Sequence, residues 1–276
     1  MAAISRAKRA SLLRNVLGLV AIGVLAAAGF HASPAFAQVA EQTSSGMQIT
    51  LPASAGSQAV APAKSREDDA QDQLLSQAVQ MIKSGRAADA LAGPIAQVIA
   101  YYENGVGKDH SQRRYCARSM VEVLLYTAEA TKDHQSAEVF TQTWANAYFY
   151  ESSALTDLGR LEESQAALRK ALALSPWNSL YLSELGYTYE MQHDNEKALD
   201  LFQQAEGATE FSPADLKNSE LAHALRGEGY ALTELHHLDE AEAKYHQALK
   251  LDPNDQKSKN ELQYIAQLRQ KLGSEK

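Results

Sequence analysis

Small, aromatic and apolar positions recur through the middle of the chain in a fixed order. From Gly186 the small or aromatic residues lie 12, 16 and 19 positions on, at Ala198, Phe202 and Ala205. The same steps from Gly229 reach Ala241, Tyr245 and Ala248, and from Ser152 they reach Ser164, Leu168 and Ala171. A step of 24 lands on Pro176 in the first copy and Pro253 in the third, with Glu210 in the middle one. One straight helix cannot present such positions on one face. Two packed antiparallel helices can, with the small residues where they approach most closely. Gly186 and Gly229 each cost roughly 1 kcal/mol of helix propensity against Ala, so each marks a place where a neighbour needs room.

The turns between the paired helices are Gly159-Arg160, His193-Asp194-Asn195 and His236-His237-Leu238. Acidic residues follow each one (Glu162 and Glu163, Glu196, Asp239 and Glu240), where they favour a helix N-terminus through its dipole. Pro176 and Pro253 stop the second helices and start the next pair.

These residues resemble tetratricopeptide repeats. The middle copy carries that pattern at Leu182, Leu185, Gly186, Tyr189, Ala198, Phe202 and Ala205. The third carries it at Leu225, Gly229, Leu232, Ala241, Tyr245, Ala248 and Pro253, and the first at Tyr148, Ser152, Leu155, Ala171 and Pro176. Glu151 and Glu228 depart from it, standing where the pattern has an apolar residue. The resemblance implies an all-α fold, a right-handed superhelical stack of helix-turn-helix hairpins.

Outside the array, residues 1–37 read as a secretory signal peptide: Arg6, Lys8, Arg9 and Arg14, an apolar stretch over 16–30, then Ala35-Phe36-Ala37. Its form fits export to the periplasm of a Gram-negative bacterium; uncleaved, the segment would anchor the chain in the inner membrane. Residues 38–66, rich in Ala, Ser, Gln and Pro, form a flexible tether. Helical hairpins follow over 67–134. Gly85-Arg86 makes a turn there, and Pro94 kinks the second helix at what would be an aromatic position of a degenerate repeat. The repeats themselves span 135–178, 179–212 and 213–253. The first helix of the array opens just after Asp133 and runs to about Leu158. The third copy is offset by 43 residues from the second, and Ser212-Pro213-Ala214-Asp215 is expected to cap a lengthened helix that absorbs the excess over 34. An amphipathic helix over 254–276, with Leu262, Ile265, Leu268 and Leu272, caps the stack.

Charge narrows the choice of partner. The full chain has 26 Lys and Arg against 34 Asp and Glu; without the four basic residues of the signal peptide the balance is 22 to 34, a net of −12. Nucleic acid and anionic membrane both require a basic face, so neither is expected as a partner. With cleavage there is no membrane span. The one cysteine, Cys116, excludes an internal disulfide, and burial is the expected role for it.

Chemistry is sparse. No metalloprotease helix, nucleophile elbow, phosphate loop or CxxC occurs, so neither enzymatic activity, a cofactor nor a metal is expected. His236, His237, Asp239 and His246 cluster in sequence but sit at a hairpin turn, without the converging second set that a closed metal site needs. Asp109, His110 and Cys116 could form a Cys–His pair only if the fold brought them together.

The resemblance points instead to the concave face. The groove-facing positions it implies are Asn146, Phe149, Ser153 and Thr156; Leu180, Ser183, Tyr187 and Glu190; and His223, Arg226, Tyr230 and Thr233. Aromatic and small polar groups suit a polypeptide held by stacking and hydrogen bonds. The lysine- and asparagine-based clamp with which some such proteins grip a terminal carboxylate would fall on Phe149, Ser153, Glu184, His223 and Arg226, leaving a single permanently basic residue. A periplasmic adaptor that docks another protein is the reading that follows; a self-associating structural subunit, making contact through Cys116 or residues 120–126, is the alternative.

Overall fold

A computed structural model describes residues 66–105 and 112–274 of the chain. The signal peptide and nearly all of the tether lie outside the described residues, as do Asp109, His110 and the side chain of Leu272.

Helices pair in chain order. Helix α1 (Arg66–Lys83) packs against a broken second helix made of α2 (Ala87–Ala90), a π-helical segment (Leu91–Ile95) and α3 (Ala96–Asn104). The break falls where Pro94 removes an amide donor, and Gly93 leaves helical geometry at φ −107°, ψ −107°. Three regular hairpins follow: α5 (Thr143–Asp157) with α6 (Leu161–Leu174), α7 (Ser179–Glu190) with α8 (Asn195–Ala208), and α9 (Lys217–Glu234) with α10 (Leu238–Leu251). Helix α11 (Gln256–Ser274) closes the array against α10.

Every first helix ends in the same way. Gly85, Gly159, His193 and His236 take positive φ of 76°, 71°, 59° and 62°. The next amide then reaches back to the carbonyl five residues earlier: Arg86 to Met81 and Arg160 to Leu155 at 2.9 Å, Asp194 to Tyr189 at 3.0 Å, and His237 to Leu232 at 2.8 Å. This left-handed cap satisfies carbonyls that a helix end leaves free. Glycine adopts it without strain, and histidine is among the side chains that tolerate it best. His193 and His236 thus serve the backbone.

Glycine sets the distance between helices. A Cβ on Gly227 would stand 2.2 Å from Phe202 Cε1, and one on Gly229 would stand 2.8 Å from Tyr245 Cζ. The rings of α8 and α10 therefore lie directly on the backbone of α9, which closes the packing around buried Ala198, Ala231, Ala241 and Ala248.

Between the N-terminal pair and the first hairpin the chain departs from the expected helix. In place of a helix opening after Asp133 there is a strand, β2 (Ala137–Phe140), and α5 starts only at Thr143. Strand β2 pairs in parallel with β1 (Arg113–Cys116), Arg113 opposite Ala137 and Cys116 opposite Phe140, and α4 (Met120–Lys132) connects the two. Packing decides the matter. Phe140 meets Tyr102 and Trp144 edge-on, with centroids 6.5 and 5.6 Å away, a contact that an extended β2 allows.

This strand–helix–strand segment runs against the loops that join hairpins. Ser175, between α6 and α7, donates to the Cys116 carbonyl at 2.7 Å. Arg118, beside β1, grips Glu122 through Nε (2.9 Å) and Nη2 (2.7 Å), and reaches Glu220 of α9 through Nη1 at 2.6 Å. The second oxygen of Glu220 accepts from Ser212. Ser212 is thus not a helix cap: α9 begins at Lys217 with no side-chain cap, and the excess residues divide between a short 3₁₀ turn (Thr209–Phe211), the 212–216 connection and a first helix of 18 residues.

Candidate functional site

Helices α1, α5, α7 and α9, each the first of its hairpin, and α11 after them contact one another along the array and present a common face. The groove positions expected from the sequence divide into three groups on this face.

At the α5–α7 step the side chains satisfy each other. Tyr181 is buried; its hydroxyl donates to Asn146 Oδ1 at 2.7 Å and accepts from Gln142 Nε2 at 2.8 Å, while Phe149 stacks on its ring at 5.3 Å. Thr156 bonds Ser164 at 2.8 Å, tying it into its own hairpin, and Ser153 and Leu180 are half-buried. Next to Asn146 and Tyr150 a hollow of about 360 Å³ opens toward α1, lined also by Asp72 and Val79.

Two positions offer a partner no surface. Ser183 and Thr233 are buried, and Thr233 donates to the Gly229 carbonyl at 2.8 Å.

The remaining positions form the face of α7, α9 and α11. His223 Nε2 stands 3.8 Å from Glu184 Oε1, and Arg226 pairs with Asp255 at 3.2 Å. Burial, together with Arg226 and Lys257, lowers the His223 imidazole to about 4, which keeps it neutral at ordinary pH. Burial raises the Glu184 carboxyl, against the pull of Lys257. Arg226, the single permanent cation at the clamp positions, is thus already committed to Asp255.

Further along, Tyr187 is 41% exposed and Tyr230 half-buried. A third tyrosine, Tyr264 of α11, is 47% exposed, and it lies 34 residues after Tyr230, one repeat on. Sequence reasoning missed it because α11 was read through its apolar stripe alone; the repeat offset would have found it. Glu190, Glu234 and Glu261 lie near Tyr230 of this row. Burial first, then the charges of Glu234 and Glu261, push the Glu190 carboxyl up to about 7. Burial and the same three carboxylates raise the Tyr230 phenol.

The other candidates lie apart. His237 sits 3.3 Å from Glu240 and His246 3.7 Å from Glu242, both exposed pairs, while His236 shapes the turn. Cys116 is fully buried, and burial pushes its thiol up to about 12, far from a nucleophile.

Residues 222–255 match the family model of the tetratricopeptide repeat. The structure of PilF from Pseudomonas aeruginosa is similar over 75% of this chain and 72% of its own, at 15% identity and a TM-score of 0.53. The fold is a tetratricopeptide-repeat stack. Shorter likenesses include the second tetratricopeptide-repeat domain of human RPAP3 in complex with an HSP70 peptide (21% identity, 44% of this chain and 94% of that one, TM-score 0.38) and the Sgt2 domain of Aspergillus fumigatus (17%, 47% and 82%, TM-score 0.41). No curated protein matches the chain.

Proposed function

We propose that this protein is an exported adaptor of the periplasm, which holds a segment of another polypeptide in the face formed by α7, α9 and α11 and serves in assembly or secretion at the cell envelope. The observation that carries the reading is the tyrosine row: Tyr187 and Tyr264 leave 41% and 47% of their surface in water along the inner helices of the stack. Rigid aromatic side chains bring large contact area at low entropic cost, so they are costly to leave exposed without a partner and effective when covered by one. The signal-like N-terminus supports the location.

A photo-crosslinking amino acid placed at Tyr187 or Tyr264, in the full chain expressed in a Gram-negative host, tests it. The expected result is one recurrent polypeptide adduct from the periplasmic fraction, absent when the crosslinker stands at exposed Gln247 on the second helix of its hairpin. Equal adducts at all three positions, or none at the groove, would remove the reading.

Self-association is a second reading, favoured by Val121 and Leu124, which are 39% and 49% exposed on α4. Cys116 takes no part in it, being buried. Sedimentation of the secreted chain separates the two, since a monomer at micromolar concentration leaves only the adaptor.

A further inference from the structure

Glu228 places a carboxylate where the repeat pattern has an apolar residue, and the fold buries it completely. It stands in α9 between Gly227 and Gly229, which bear the rings of Phe202 and Tyr245, so α8 and α10 both close on this turn of α9. One cation meets it. Lys244 Nζ of α10 is 2.9 Å from Glu228 and donates to Glu206 of α8 at 2.9 Å. A single ammonium therefore joins three helices, two of the third hairpin and one of the second. Among the described residues no other ion pair or side-chain hydrogen bond links α8 to α10. The joint opens to water at one margin: the Lys244 and Glu206 side chains are 22% and 35% exposed, while that of Glu228 has no exposure.

The charges at this joint do not balance, since two carboxylates share one ammonium. An uncompensated charge closed off from water is costly, and a carboxylate so placed lowers the cost by keeping a proton. Glu228 is the more buried of the two and the one to hold it. Burial raises its carboxyl; Lys244 pulls it down and Glu206 pushes it up. Against its own burial, the Lys244 ammonium is held above its ordinary value by both carboxylates and stays charged. Among the described residues, Lys244 from α10 and Glu206 from α8 are the charged groups that face Glu228, and α7, also packed on α9, sends none to it.

We propose that this joint is a proton-operated clamp between the second and third hairpins. With a proton on Glu228, Lys244 belongs to Glu206 alone and holds α10 to α8. When Glu228 gives the proton up, Lys244 is divided between two carboxylates, one charge stays without a counterion, and the clamp slackens. The third hairpin is thus held more firmly below neutrality than above it. Above the ordinary carboxyl value of 4.5 the unfolded chain has released this proton while the folded chain retains it, so stability falls as pH rises through the folded value.

Urea unfolding of the full chain between about pH 5 and 8 tests the clamp, with Glu228→Gln as the form that has no proton to lose. The unfolding constant of the native chain, divided by that of the variant, is expected to rise at least about tenfold across that range. Glu190 titrates in both chains and cancels in the ratio. Repeated in a Glu206→Gln background, where Lys244 meets Glu228 alone, the same rise is expected about one unit lower in pH. A ratio constant across the range would end the proposal. A rise that Glu206→Gln leaves in place would end it too, because Glu228 would then titrate without its neighbour. Should Glu228→Gln fail to fold, carbon NMR of the isotope-labelled native chain decides: a Glu228 carboxyl that titrates at about 7 supports the clamp, and one that titrates at 4.5 overturns it.

Discussion

The Arg118 guanidinium bonds Glu122 four residues along and Glu220 a hundred and two residues along, at 2.7 and 2.6 Å, with 11% of its side chain exposed. Glu122 and Glu220 are buried, so the pair of contacts stabilises only while all three charges are present. Arg118→Ala strands two buried carboxylates and is expected to cost about 3–5 kcal/mol, seen as a lower urea midpoint with an unchanged slope. Replacing Arg118, Glu122 and Glu220 together by apolar residues of similar volume is expected to recover most of that loss. A single-variant cost below about 1 kcal/mol would mean that water reaches the site.

Gly227, Gly229 and Gly186 form a graded series. A Cβ would meet Phe202 at 2.2 Å on Gly227, Tyr245 at 2.8 Å on Gly229, and Phe202 at 3.2 Å on Gly186. Alanine gains about 1 kcal/mol of helix propensity at each position. Overpacking costs about 1–3 kcal/mol and more where the neighbour cannot move. Gly227→Ala is therefore expected to destabilise by about 3 kcal/mol, Gly229→Ala by about 1–2, and Gly186→Ala by close to zero. Thermal melts order the three, and a Gly186→Ala loss equal to that of Gly227→Ala would contradict the packing described.

Glu190 gives a dependence on pH. Its ordinary value is 4.5, and in the fold burial, Glu234 and Glu261 hold it at about 7. Between these values the folded chain retains a proton that the unfolded chain has released, so this group lowers stability as pH rises across that window. Glu190→Gln removes the dependence. The melting temperature of the variant minus that of the native chain is expected to grow between pH 5 and 7.5, and Glu234→Gln, by removing one repelling charge, to shrink the native decline. A difference constant across that range would show that Glu190 titrates normally.

The repeat phase was legible because it is local. Glycines, aromatics and prolines recur at fixed steps, and each step has a contact behind it: Gly229 under Tyr245, Pro94 at the break in the second helix. The β1–β2 pair was not, since four-residue strands depend on partners over twenty residues apart and on Trp144 and Tyr102 beyond them. Glu228 read as a flaw in the pattern. It is fully buried, and Lys244 Nζ stands 2.9 Å from it while also bonding Glu206 at 2.9 Å, a relation that one strand of text hides. At the groove, sequence marked Tyr187, Tyr230 and Glu190, but helix positions alone could not say that Ser183 and Thr233 turn inward or that Arg226 is already paired.

The parallel strands and their connecting helix fasten two inter-hairpin joints, at Ser175 and at Glu220, from one side. An array joined only through neighbours bends a little at every joint, as a loose spiral does. A brace that ties two of those joints from one margin limits that bending. For the proposed adaptor, the cost of shaping its inner face has then been met during folding, and holding a polypeptide would spend little further entropy on it.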